Sequence, residues 1–155
     1  MYKKVLVCLD GSELAEQVLP YASEVARRFD GALVLLRVVV KPVLVSPGIP
    51  GAGAVPVVTS RMGRQVETDE LQAETYLQSI AARLLKDYAL KAEIVTSLGA
   101  AGPTIVDYAA ANGVELIAIA THGRTGPGRV LFGSVADFVV RQSRMPVLLI
   151  RPNAT

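Results

Sequence analysis

Runs of apolar residues rich in Val, Leu and Ile recur at 4–9, 32–40, 93–97, 116–121 and 147–151. They are continuous rather than alternating, as strands of a parallel sheet covered on both faces are. Between them apolar positions return every three or four residues, the helical period. Leu14, Val18, Ala22, Val25, Ala26 and Phe29 predict a helix that Ser12 can cap, that Pro20 kinks or locally breaks, and that Asp30-Gly31 stops. Leu77, Ile80, Ala81, Leu84, Leu85 and Tyr88 predict a long helix over 67–88. Pro103 suits the first turn of a third helix, which buries Ile105, Val106 and Ala109 and closes at Asn112-Gly113. A last helix runs from Ser134 to about 142.

The order βαβ(loop)αβαβαβ is that of an α/β protein, a doubly wound five-stranded parallel sheet with helices on both faces. The expected strand order is 3-2-1-4-5, which puts the ligand crevice at the carboxyl ends of strands one and four. One segment stands apart. Residues 41–65 hold Pro42, Pro47, Pro50 and Pro56 with Gly48, Gly51, Gly53 and Gly63. They predict a long loop, either a cover over a site or a dispensable insertion. The chain is otherwise expected to be one domain over 1–155.

Strand four leads into Ala120-Thr121-His122-Gly123-Arg124-Thr125-Gly126-Pro127-Gly128-Arg129, and the stretch ends at Gly133-Ser134 on a predicted helix start. A glycine-rich cationic loop before a helix N-terminus suits phosphates. Glycine lets backbone approach an anion, free N–H groups point at it, and the helix dipole favours negative charge. Gly123, Gly133, Ser134 and Val135 are the candidate backbone donors, and Arg124 and Arg129 add full charges. Asp10, which ends strand one, would meet this loop across the crevice.

Composition narrows the picture. The chain is 51% hydrophobic and 19% charged, which argues for a filled core and against disorder. Its net charge of +2 is spread out, with five Tyr and three Phe, so there is no nucleic-acid footprint. Cys8 is the single cysteine and His122 the single histidine, so neither a disulfide framework nor a cysteine zinc cluster forms within one chain, and no metal site is expected. The longest apolar stretch is interrupted by Arg37, Lys41 and Pro42 and is too short to span a membrane. With Met1-Tyr2-Lys3-Lys4 leading straight into a strand, a soluble cytoplasmic protein is expected.

Several of these residues together resemble the universal stress protein family. They are the opening Lys-Lys-Val-Leu-Val-Cys-Leu-Asp-Gly-Ser, the Thr-His-Gly-Arg-Thr-Gly run, the Gly-Ser helix start and the closing Met-Pro-Val-Leu-Leu-Ile-Arg-Pro. The resemblance runs the whole chain and implies the adenine nucleotide alpha-hydrolase-like fold. Nucleotide-binding members carry Gly-x-x-Gly, nine residues, then Gly-Ser or Gly-Thr. Here Gly123 and Gly133-Ser134 fit, and Ala120 stands at the first glycine. The implied ligand is ATP, or ADP or AMP. Asp10 would bind the ribose hydroxyls, and backbone near Val38 and Ile119, with Cys8, would frame the adenine. Gly123, Gly133, Ser134 and Val135 would hold the phosphates. The family also pairs through the last strand, whose apolar edge invites antiparallel pairing with a second copy, so a homodimer through 147–151 is expected.

Each residue also has a plainer reading. Asp10 can be a turn residue, the loop a structural turn, Arg124 and Arg129 solvated surface charges. Gly128-Arg129 is not followed by the Lys-Ser/Thr pair of a P-loop, and no base can be paired with Ser134. Binding is therefore expected rather than turnover. The alternatives are an interaction protein of the same fold with an empty site, or a slow ATPase with Mg²⁺ held by the phosphates and Asp10.

Overall fold

A computed structural model describes residues 1–40, 60–121 and 133–152, with backbone only for 60–62. Five strands, β1 (Lys4–Cys8), β2 (Ala32–Val39), β3 (Ala92–Leu98), β4 (Leu116–Ala120) and β5 (Val147–Ile150), form one parallel sheet in the order β3-β2-β1-β4-β5. The helices are α1 (Glu13–Glu16), α2 (Leu19–Phe29), α3 (Ser60–Tyr88), α4 (Ala101–Ala111) and α5 (Ser134–Gln142).

Successive strand residues point to opposite faces, so each apolar run feeds two cores. Val5, Val7, Leu33, Leu35, Ala118 and Ala120 pack with Ala15, Val18 and Ala22 near the chain start and with Leu77, Ile80 and Leu84 of α3. Leu6, Cys8, Val34, Leu36, Ile117 and Ile119 pack with Ile105 and Ala109 of α4 and Ala136 and Val139 of α5. Burial on both sides is why the runs do not alternate. The α4–α5 contact is close: a Cβ on Gly102 would lie 2.7 Å from Phe138 Cδ1.

One expected helix break is present and one helix boundary differs from expectation. The segment after Ser12 is two helices, because Pro20 has no N–H to donate and its ring disfavours a continuous helix there. It occupies the first turn of α2, where the missing N–H costs nothing. The loop expected over 41–65 ends too late, since α3 already begins at Ser60. Gly63 lies inside this helix, where a Cβ would meet nothing within 4 Å, and a glycine there costs only about 1 kcal/mol. Bonds one turn apart support the added stretch: Gln65 Nε2 donates to Asp69 Oδ1 at 2.8 Å, and Thr68 Oγ1 to the Arg64 carbonyl at 2.9 Å. The rest of the Pro/Gly-rich segment lies outside the described residues. Among those described, no helix is long and apolar enough to cross a membrane.

Candidate functional site

The carboxyl ends of β1 and β4 lie side by side, with Cys8 in register with Ile119 on one side and Leu36 on the other. Beyond β1, Leu9 extends the ladder by donating its N–H to the Leu36 carbonyl at 2.9 Å. Leu9 belongs to the core on the α3 side, and Asp10 follows it past the carboxyl end of β1. Asp10 is exposed. Its Oδ1 accepts the Ser12 N–H at 2.9 Å, closing a turn through Gly11, whose φ is +90°. Ser12 in turn caps α1, its Oγ accepting the Ala15 N–H at 3.1 Å. Asp10 is thus a turn residue with an exposed side chain at the carboxyl edge of the sheet.

Opposite stands the start of α5. Gly133 is its N-cap in an extended conformation, φ −63° and ψ 155°, and makes no side-chain capping bond. The first helical bond runs from the Asp137 N–H to the Gly133 carbonyl at 2.9 Å. The amides of Ser134, Val135 and Ala136 therefore have no acceptor within the helix. Ser134 is exposed and Val135 half-buried. The one acid of this first turn, Asp137, is engaged by Arg141 at 2.9 Å one turn further on. Among the described residues no side chain caps the positive end of this helix dipole.

The floor between the two is apolar. Cys8 and Ile119 are buried and Val38 half-buried, all on the α4–α5 face. Burial pushes the Cys8 thiol up to about 12, so it stays protonated and behaves as a small apolar group. Ala120 is different. It packs into the core on the α3 side, so its methyl points away from the crevice and its contribution there is backbone. Gly123, Arg124 and Arg129 lie outside the described residues, as does His122. Sequence reading did not single out Thr121, which is 2% exposed with an Oγ1 that has no hydrogen-bond partner among the described residues. Its backbone N–H donates to the Ile150 carbonyl at 2.8 Å. The available signal was a hydroxyl closing an otherwise apolar strand.

This arrangement offers carboxylate to hydroxyl groups at one end and amides to an anion at the other, over a flat apolar floor. Among the described residues no group of three or more His, Cys, Asp or Glu could hold a metal.

The model of the Universal stress protein family matches residues 1–151. The chain is 26% identical over 152 residues to universal stress protein MJ0531 of Methanocaldococcus jannaschii, covering 97% of this chain and 83% of that one. It is 27% identical over 156 residues to universal stress protein YxiE of Bacillus subtilis, covering 97% and 100%. In fold it is similar to the universal stress protein UspA from Lactobacillus plantarum (TM-score 0.78, 24% identity, covering 97% and 98%). It is also similar to a universal stress protein in complex with cAMP (TM-score 0.61, 21% identity, covering 98% of each). A further likeness is to the Archaeoglobus fulgidus universal stress protein in complex with dAMP (TM-score 0.66, 21% identity, covering 96% and 98%).

Proposed function

The chain belongs to the universal stress protein family, and from that premise we propose that it binds an adenine nucleotide, ATP before ADP or AMP, and acts as a nucleotide-dependent regulatory module. The observation that carries this reading is that an exposed Asp10 follows β1 and an α5 N-terminus without a side-chain cap follows β4, its neighbour in the sheet. Structural neighbours in complex with cAMP and dAMP support the adenine nucleotide as ligand class.

In this reading the Asp10 carboxylate accepts from the ribose hydroxyls. It would repel phosphate, which goes to the other end. Cys8 and the backbone at Val38, Ile119 and Ala120 line the adenine. The amides of Ser134 and Val135, the Gly133 backbone and the Ser134 hydroxyl hold phosphate oxygens, joined by Gly123, Arg124 and Arg129. Any Mg²⁺ would sit on the phosphates. Backbone amides stabilise a bound polyphosphate without activating water, so the site grips rather than cleaves. The same proposal includes one domain over 1–155, a cytoplasmic location and a homodimer. Half-buried β5 at the end of the sheet supports the last of these by offering an unpaired edge.

Calorimetric titration with ATP tests the reading. Saturable binding of one nucleotide per chain is expected at or below millimolar ATP. A stabilisation of about 1.4 kcal/mol is expected at ten times Kd. A mass spectrum of small molecules released from the purified protein should contain an adenine nucleotide. No binding and no thermal shift at millimolar nucleotide, with the dimer intact, would instead mark an interaction protein whose crevice is empty.

A further inference from the structure

β2 carries one charge in its apolar run. Arg37 follows Leu33 and Leu35 on the α3 side of the sheet, away from the crevice. It nevertheless reaches the turn that presents Asp10. A Cβ built on Gly11 would lie 3.1 Å from Arg37 Cζ, Nη1 and Nη2 alike. Equal distance to three atoms of a planar group puts the Gly11 backbone over the flat face of the guanidinium. Arg37 Cζ also stands 5.2 Å from the ring centroid of Tyr76 on α3, within cation–π range.

Tyr76 is held in turn. Its hydroxyl donates to Glu16 Oε1 at 3.1 Å, and Glu16 Oε2 accepts from Arg83 Nη2 at 2.5 Å. Glu16 belongs to α1, so α3 grips both sides of the β1–α1 turn: the Gly11 backbone through Arg37, and the helix through Glu16. The Tyr76 phenol is pushed well above its ordinary range, chiefly by burial, then by Glu16 and by the charge of Asp10, with Arg37 opposing. Asp10 and Arg37 thus act on the same ring from the two sides of one turn.

A glycine at φ +90° has the widest conformational freedom of any residue, so a planar group packed against Gly11 restricts the turn that carries Asp10. We propose that Arg37, stacked on Gly11 and braced by Tyr76, is a positioning residue that holds the Asp10 carboxylate in the geometry that reads the nucleotide's ribose hydroxyls. The proposal rests on the nucleotide reading given above. Its specific content is that ribose recognition is set from the opposite face of the sheet.

The test compares ATP with 2′,3′-dideoxy-ATP, which keeps base and phosphates and lacks both hydroxyls, on wild type, Arg37→Met and Tyr76→Leu. Wild type is expected to prefer ATP roughly ten-fold, the worth of a hydrogen bond to a charged group. In both variants that preference should fall towards unity through loss of ATP affinity alone, with dideoxy-ATP and inorganic tripolyphosphate binding as in wild type. A packing defect would weaken all three ligands. Hydrogen exchange of the Ser12 amide, read by NMR without ligand, should quicken in the variants while α2 amides do not change. Wild type binding neither nucleotide overturns the reading of the site and this proposal with it. Wild type preferring ATP, with the same preference in both variants, overturns the proposal alone.

Discussion

Two helices, α1 and α5, follow neighbouring strands of this sheet, and their N-termini are capped in different ways. After β1, the chain satisfies itself. Asp10 takes the Ser12 amide, Ser12 takes the Ala15 amide, and Glu13 and Glu16 place two acids in the first turn of α1. A side-chain cap and two acids thus sit at this helix start, beside an exposed carboxylate. At α5 the cap is a glycine without a side chain, and Asp137 is tied to Arg141. In the proposed reading, one topological position, a helix start at the carboxyl edge of a parallel sheet, serves hydroxyls once and anions once. The choice rests on whether the cap residue has an oxygen to spend on its own helix.

The sharpest way to break that contrast is to give α5 a cap like that of α1. The Gly133 backbone already has the extended conformation of an N-cap, so Gly133→Asp fits without strain. Its carboxylate would accept from the amides of Val135 or Ala136 and place a negative charge where phosphate is proposed to sit. Thermal unfolding should show a gain of roughly 0.3 kcal/mol without ligand, the small difference between Gly and Asp as N-cap. ATP affinity should fall roughly a hundred-fold in calorimetry, because amide donors are lost and like charge is added. A more stable protein that binds ATP as before would remove the phosphates from α5.

The other end calls for a smaller change. Asp10→Asn keeps an oxygen for the Ser12 amide and removes the charge, so stability should stay within about 0.5 kcal/mol of wild type. ATP affinity should drop roughly ten-fold, by the loss of charge assistance, with dideoxy-ATP unaffected. Asp10→Ala should weaken ATP at least as much and also lose about 1 kcal/mol of stability with the turn bond. If Asp10→Asn lowers ATP and dideoxy-ATP alike, the carboxylate is not reading ribose.

Much of this contrast was legible in the residues. Continuous apolar runs announced a sheet covered on both faces, and Asp10-Gly11-Ser12 and Gly133-Ser134 announced the two turns. What sequence spacing alone left open was where each side chain goes once the strands are neighbours. Period two separates Ala118 and Ala120 from Ile117 and Ile119, but only packing against α5 shows which set faces the crevice. Alanine at the family's glycine position was a departure that spacing could not weigh, and its methyl lies in the core on the α3 side. The early start of α3 was hidden by Gly63 next to a Pro/Gly-rich stretch, where punctuation outweighs period. Arg37 stood out as a charge in an apolar strand, yet its partners Gly11 and Tyr76 are remote in sequence, and contacts of that kind leave no local spacing to read.

The finest test separates the two oxygens of the β1–α1 turn. Ser12→Ala removes the cap on α1 and keeps the backbone N–H at position 12, so the bond to Asp10 Oδ1 survives. Chemical denaturation should show a loss of about 1 kcal/mol, the usual cost of an N-cap hydroxyl. ATP binding should change less than about two-fold, because the hydroxyl removed bonds Ala15 and the Ser12 N–H that holds Asp10 is kept. The comparison with Asp10→Asn then splits the turn cleanly: one residue carries stability and the other carries ligand. Were Ser12→Ala to cost as much ATP affinity as Asp10→Asn, the turn would be acting as a single unit. Capping of α1 would then belong to recognition, and the division between a self-satisfied turn and an open one would not hold.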